Sequence, residues 1–227
     1  MKATSPFMRY LKINTSGTNK MKAFIFSGGA ILAEGIEERP SDGDMVICAD
    51  SGYNNAVKMG AKVNILIGDF DSLSKIPPDV DEVLQLPPEK DATDTQLAVE
   101  VAIDRGADEI IIIGSTSGRL DHTLSTLAIL EDLYSRRVPA CIVNGQNRIR
   151  YIRDSGTIVL RSQYKYFSVI ALDTKVKKVS IEGAKYPMMN KDLGRARQFA
   201  VSNEIVKNCA MITVKKGAVY IIESRDI

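Results

Sequence analysis

The sequence predicts an α/β protein: a mostly parallel, doubly wound N-terminal sheet domain over residues 21–145, followed by a smaller all-β sandwich domain over 146–227. Three observations carry that expectation. Short, fully apolar runs alternate with helical patterns in the first part, as in sheets whose strands are buried on both faces. Small and acidic residues recur where those runs end, the edge at which open α/β sheets bind ligands. Near residue 146 the pattern changes to two-residue alternation with turn signals.

Residues 1–20, MKATSPFMRYLKINTSGTNK, are polar and lack the apolar core of a signal peptide, so they read as an N-terminal tail outside the fold. The first strand is expected at Ala23–Phe26, within MKAFIFSGG. Further strands are expected at Met45–Ala49, Val63–Ile67, Val83–Leu86, Glu109–Ile113 and Ala140–Val143. Helical patterns lie between several of them, at 53–59, 93–105 and 120–137. Thr93-x-x-Gln96 is a capping-box signature for the second helix, and Gly106 suits its end. In the third, Leu124, Leu127, Leu130 and Tyr134 form a stripe predicted to be buried. In the second part, RIRYIRDSGTIVLRSQYKYFSVIALD and KVKKVSIEGAKY alternate as strands do. CAMITVKKGAVYIIES reads as a hairpin turning at Lys215-Lys216-Gly217.

Composition narrows the function. The chain has 227 residues, with 30 basic and 28 acidic side chains and a net charge of +2. That balance gives no field suited to nucleic acid or a membrane surface. No run of about 20 apolar residues is present to span a bilayer. Cys48, Cys141 and Cys209 are widely spaced in apolar contexts, without zinc-type spacing. They read as small buried hydrophobes of a protein in the reducing cytoplasm. His122 is the only histidine, so acid–base work falls mainly on carboxylates or on that imidazole.

The stretch NILIGDFDS, residues 64–72, is the most informative. A buried-strand pattern ends in Gly-Asp-Phe-Asp. In an extended chain Asp69 and Asp71 would point the same way, about 6.5 Å apart. At an effective dielectric of about 20 they would repel by about 2.5 kcal/mol. Asp50, Asp94 and Asp121 are expected at the same sheet edge and add to that cost. A hard divalent cation offsets it. Mg²⁺ takes one or two carboxylates and fills its shell with water and substrate phosphates. Asp91 and Asp94 also suit the start of a helix, where they complement its dipole. The loop Gly114-Ser115-Thr116-Ser117-Gly118 precedes a helix and is suited to cradling phosphate, with Arg119 beside it. It is not a Walker A loop. His122 suits a structural or nucleotide contact better than a general base.

At these residues the sequence resembles the thiamine pyrophosphokinase family. The matching stretches are Ala49-Asp50-Ser51-Gly52, Gly68-Asp69-Phe70-Asp71-Ser72, Asp91-Ala92-Thr93-Asp94 and Gly118-Arg119-Leu120-Asp121-His122, in the family's order. Gly183-Ala184-Lys185-Tyr186 and Ser202-Asn203-Glu204 extend the likeness into the second part. The resemblance implies transfer of pyrophosphate from ATP to the hydroxyl of thiamine, giving thiamine diphosphate and AMP. It also implies a homodimer with the thiamine site at the subunit interface. By the same likeness Asp69, Asp71 and Asp94 would be catalytic and would hold Mg²⁺. Lys90, Gln96, Arg119, Asp121 and His122 would surround the nucleotide, with Asp50, Thr116, Ser117 and Asn144 completing that set. Tyr186, Ser202 and Asn203 would approach thiamine. Three residues depart from the family pattern: Ser51 and Ser117 stand where Gly is usual, and Ala92 where Lys is usual. Two other readings remain at this point: a D-x-D phosphatase of small phosphorylated metabolites, and a nucleotide-binding module without turnover.

Overall fold

The computed structural model describes residues 20–69, 77–85 and 91–227. Asp71 and Lys90, both singled out above, lie outside the described residues. Six strands of the first half are β1 (Lys22–Phe26), β2 (Met45–Ala49), β3 (Ile65–Gly68), β4 (Glu82–Gln85), β5 (Glu109–Ile113) and β6 (Ala140–Val143). They lie side by side in the order β4-β3-β2-β1-β5-β6, all parallel. Their apolar residues alternate between two cores. Ile25, Ile47, Ile67 and Ile112 enter one, while Phe24, Phe26, Cys48, Leu66 and Ile113 enter the other. The inner strands β1, β2, β3, β5 and β6 are therefore almost wholly apolar because each face is covered, whereas the edge strand β4 reads Glu-Val-Leu-Gln and alternates between partly buried and exposed.

Three helices do the covering. α1 (Gly52–Lys58) packs on β1 and β2 from one side. α2 (Asp94–Asp104) and α3 (Leu120–Ser135) pack from the other, α2 over β1 to β3 and α3 over β6 and the next strand. Val63 and Asn64 precede β3 rather than opening it. Asn64 uses its side chain there: Oδ1 accepts from the Val46 amide at 2.9 Å. The expected stripe on α3 is corrected in part: Leu130 is buried and Leu127 packs against the core as expected, but Leu124 and Tyr134 do not. Thr126, Ile129, Leu130 and Leu133 are its buried residues, whereas Leu124 is 58% exposed and Tyr134 38%. The helix is apolar on more than one side, so periodicity alone does not select the face that meets the sheet.

The remaining strands are β7 (Asn147–Arg153), β8 (Gly156–Leu160), β9 (Tyr166–Ala171), β10 (Lys175–Glu182), β11 (Met188–Gly194), β12 (Cys209–Lys216) and β13 (Ala218–Ser224). β7 pairs antiparallel with β6, and β13 and β9 follow, so the first sheet runs on without a gap: β5-β6-β7-β13-β9. A second, four-stranded antiparallel sheet has the order β11-β10-β12-β8. The two sheets enclose a separate core built from Phe167, Val169, Val179, Ile212, Val219 and Ile221 among others. This is the small sandwich expected from the alternation, with one layer supplied by the large sheet.

The expected hairpin at Lys215-Lys216-Gly217 is not formed. β12 pairs with β10 and β8, and β13 with β7 and β9, so these consecutive strands belong to different sheets. Gly217 makes the crossing at φ +111°, with its amide donating to Asp154 Oδ1 at 2.6 Å. A Cβ there would stand 3.1 Å from Val176 Cα. Alternation identifies each strand but not its neighbour, which is a tertiary matter. The three cysteines are free. Burial pushes the Cys48 thiol up and that of Cys141 up to about 12, so both are inert at neutral pH.

Candidate active site

Strand order reverses between β1 and β5, and a cleft of about 580 Å³ opens at the carboxyl ends of the strands there. Its first wall is the Ser27-Gly28-Gly29 turn after β1. The Ser27 amide donates to Ile113 O at 2.8 Å, fixing where β1 ends against β5. Asn55 of α1 is 4% exposed and donates from Nδ2 to Ser27 O and to Gly29 O, both at 2.7 Å. It thereby fixes two carbonyls of the turn. Sequence reading passed over Asn55. A lone polar residue in a short helix gives no signal until the turn is seen beside it.

The second wall follows β2. Asp50 adopts φ +46°, and its amide donates to Ile67 O at 2.9 Å. Its carboxylate lies over the backbone of Gly68. A Cβ on residue 68 would come within 1.7 Å of Asp50 Oδ1. Two of the sequence motifs therefore interlock: Gly68 is glycine because Asp50 occupies the space its side chain would fill. Asp69 follows at the same edge, directly after β3.

The start of α2 forms the third wall. Thr93 is the N-cap, its Oγ1 accepting from the Gln96 amide at 3.2 Å, as the capping signature predicts. Asp94 is the first helical residue and lines the cleft, as do Thr93 and Thr95. The Gln96 side chain is exposed, outside the cleft lining. Thr95 Oγ1 and Ser27 Oγ share a hydrogen bond of 2.9 Å, which ties α2 to the turn after β1.

The loop between β5 and α3 closes the cleft. Ser117 Oγ accepts from the Ala30 amide at 2.6 Å, joining this loop to the first wall. Asn144, 8% exposed, donates to Thr116 Oγ1 at 3.0 Å and accepts from the amides of Gln146 and Asn147 at 3.0 and 2.7 Å. With those bonds Asn144 acts as a brace for the loop. Arg119 and His122 line the open side. Arg119 grips Asp121 through Nε at 3.1 Å and Nη2 at 2.6 Å. That bond holds the Asp121 carboxyl below the usual carboxylate range and raises Arg119 in turn. The guanidinium has five donors, of which Asp121 uses two, so it is oriented and still able to bind an anion. Among the described residues no three His, Cys, Asp or Glu side chains gather as a preformed metal centre. The donor chemistry nevertheless fits a cation shared with a substrate, since Asp50 and Asp94 both line the cleft.

The residues expected to approach thiamine lie elsewhere. Asn203 is 3% exposed and pairs with Phe167 of β9 through two backbone bonds of 2.8 Å. Its Oδ1 accepts from the amides of Tyr186 and Glu204, and its Nδ2 donates to Tyr186 O at 2.9 Å. Asn203 thus fixes the Tyr186 segment. Tyr186 presents its ring to solvent at 62% exposure, with Lys185 Nζ 5.6 Å from the ring centre. Ser202 sits beside it at φ +53°, its amide donating to Ser168 Oγ at 3.0 Å. Phe199, Val201 and Val206 are exposed in the same part of the chain. β9 is five strand positions from β1, a separation of roughly 24 Å. Tyr186, Ser202 and Asn203 are not among the residues that line the cleft.

Comparison with known proteins adds to this geometry. A family model described as the thiamin pyrophosphokinase catalytic domain matches residues 37–142, and one described as the thiamin pyrophosphokinase vitamin B1 binding domain matches 154–219. The chain is 27% identical over 165 residues to the thiamine pyrophosphokinase of Bacillus subtilis (strain 168), covering 70% of this chain and 77% of that protein. It is 27% identical over 190 residues to thiamin pyrophosphokinase 1 of Caenorhabditis elegans, covering 78% of each. The crystal structure of a thiamin pyrophosphokinase family protein from Enterococcus faecalis superposes with a TM-score of 0.79 at 27% identity, covering 92% of this chain and all of that one.

Proposed function

The chain belongs to the thiamin pyrophosphokinase family, and from that premise we propose how its residues perform the reaction: ATP and thiamine give thiamine diphosphate and AMP. The observation that carries this reading is the cleft at the β1/β5 switch point, where glycine-bearing turns, two carboxylates and an oriented guanidinium converge. Turn amides and Arg119 suit the triphosphate. Asp69, Asp71 and Asp94 would hold Mg²⁺, which when bound neutralises phosphate charge. The thiamine hydroxyl oxygen forms a bond to the β-phosphorus, and the bridge to the α-phosphate breaks, its electron pair leaving with AMP. Asp94 or Asp71 takes the hydroxyl proton. Positioning and charge neutralisation supply most of the acceleration. Incubation with ATP, Mg²⁺ and thiamine is expected to release AMP and thiamine diphosphate one for one. Phosphate release without thiamine diphosphate would instead support a phosphatase, and nucleotide binding without AMP a module that does not turn over.

The second element of the proposal is a homodimer with a composite site. Thiamine carries a positive charge and flat rings, which favour an aromatic face by about 0.5–2 kcal/mol. Tyr186 offers such a face, exposed to solvent and outside the lining of its own chain's cleft. The Tyr186 of a second copy satisfies both facts. Tyr186→Ala is then expected to raise the KM for thiamine with little change in ATP binding. Mixing it with an inactive Asp71→Asn chain is expected to restore partial activity, because a mixed dimer holds one site with neither lesion. Activity is measured against mixing ratio after subunit exchange is confirmed. Strictly additive activity in proven heterodimers would mean that each site is built within one chain. Free cysteines accord with a cytoplasmic enzyme; among the described residues no helix is long and apolar enough to cross a membrane.

A further inference from the structure

Most hydroxyls that line the cleft are engaged. Ser27 bonds Thr95, Thr93 caps α2, Ser117 accepts from Ala30, and Thr126 Oγ1 donates to His122 O at 3.0 Å. Ser115 differs. It lines the cleft, is 8% exposed, and its buried Oγ has no hydrogen-bond partner. A buried hydroxyl without a partner lowers stability. Its place in the cleft wall, one residue past Gly114 and β5, points to a partner that arrives with the ligand. Rotation among the three staggered positions about χ1 brings a serine hydroxyl toward a ligand without backbone movement.

The surrounding charge indicates which part of the ligand that is. Among the described lining residues Arg119 is the only lysine or arginine, and its side chain is 75% exposed. The lining acids are Asp50 and Asp94. Arg119 is largely exposed while Ser115 Oγ is buried in the wall, and burying a charged phosphate there costs more than burying a ribose hydroxyl or ring nitrogen. We propose that Ser115 Oγ hydrogen-bonds the uncharged nucleoside part of ATP and so helps the cleft select a nucleoside triphosphate over bare polyphosphate. The proposal rests on the reading of this cleft as the ATP site.

The test is Ser115→Ala, titrated separately with ATP and with tripolyphosphate, each with Mg²⁺, and melted without ligand. ATP affinity is expected to fall about five- to tenfold, the worth of one hydrogen bond. Tripolyphosphate affinity is expected to stay within about twofold, and the ligand-free Tm to rise by about 2–4 °C as the unsatisfied hydroxyl is removed. Unchanged ATP affinity, or an equal loss for both ligands, overturns the proposal. So does a fall in the ligand-free Tm, which would give Oγ a structural partner. Wild-type protein that bound tripolyphosphate but not ATP would overturn the ATP reading itself, an outcome visible before the variant is made.

Discussion

Chelation of divalent cations is expected to abolish AMP release, by about 10³-fold or more, and added Mg²⁺ to restore it. The reason is electrostatic. Asp50 and Asp94 line the cleft and Asp69 stands at the same edge, while Arg119 is the one arginine or lysine among the described lining residues. ATP brings about four more negative charges. At roughly 5 Å and an effective dielectric of about 20, each carboxylate–phosphate pair repels by about 3 kcal/mol. One guanidinium already shared with Asp121 does not offset several such pairs. AMP is followed by chromatography in chelator and after Mg²⁺ is returned. Undiminished turnover in chelator would remove the metal from the proposal and leave Arg119 and the turn amides to carry the phosphate charge.

Asp94→Asn is expected to lower kcat by about 10²-fold or more while leaving the fold intact. The substitution keeps size and removes charge, and both metal binding and proton acceptance need the anion. The cost to the helix start itself is small. Asp94 is the first residue of α2, and Thr93 rather than Asp94 provides the cap. Loss of the charge from a helix start costs about 0.3–1 kcal/mol, a fall in Tm of roughly 1–4 °C. The two readouts separate the roles. Near wild-type turnover with that small fall in Tm would reduce Asp94 to a helix-start residue. The same kinetic loss is expected for Asp71→Asn.

The sequence was most legible where local chemistry and tertiary setting agree. Met45–Ala49, Glu109–Ile113 and Ala140–Val143 are strands within the bounds that the apolar runs set, because a strand buried on both faces can hold little else. Thr93 caps α2 because a capping side chain acts within one turn. Pairing and facing were less legible. Leu124 and Tyr134 are as apolar as the residues that face the sheet, so only packing distinguishes them. Lys215-Lys216-Gly217 has the composition of a hairpin turn, yet Gly217 carries the chain between sheets. In the site, Asp50 and Gly68 were each visible as parts of motifs. That one fills the side-chain space of the other emerges only when β2 and β3 lie side by side. Asn55 was invisible for the same reason, since its importance comes from a turn distant in sequence, and Ser115 was visible only as one member of a loop.

The unbroken run of strands from β4 to β9 bears on how this protein can move and how it can evolve. The two halves meet through the ladder between β6 and β7, where Ile142 pairs with Ile149 and Val143 with Arg148. A hinge at that point would shear main-chain hydrogen bonds and leave an unpaired strand edge on each side. Rigid-body clamping of one half onto the other is thus the wrong mechanical picture. Adjustment to substrates then falls to the connections at the strand ends. The same ladder discourages shuffling. A recombination that kept β6 and replaced β7 would have to supply a new strand in the same register.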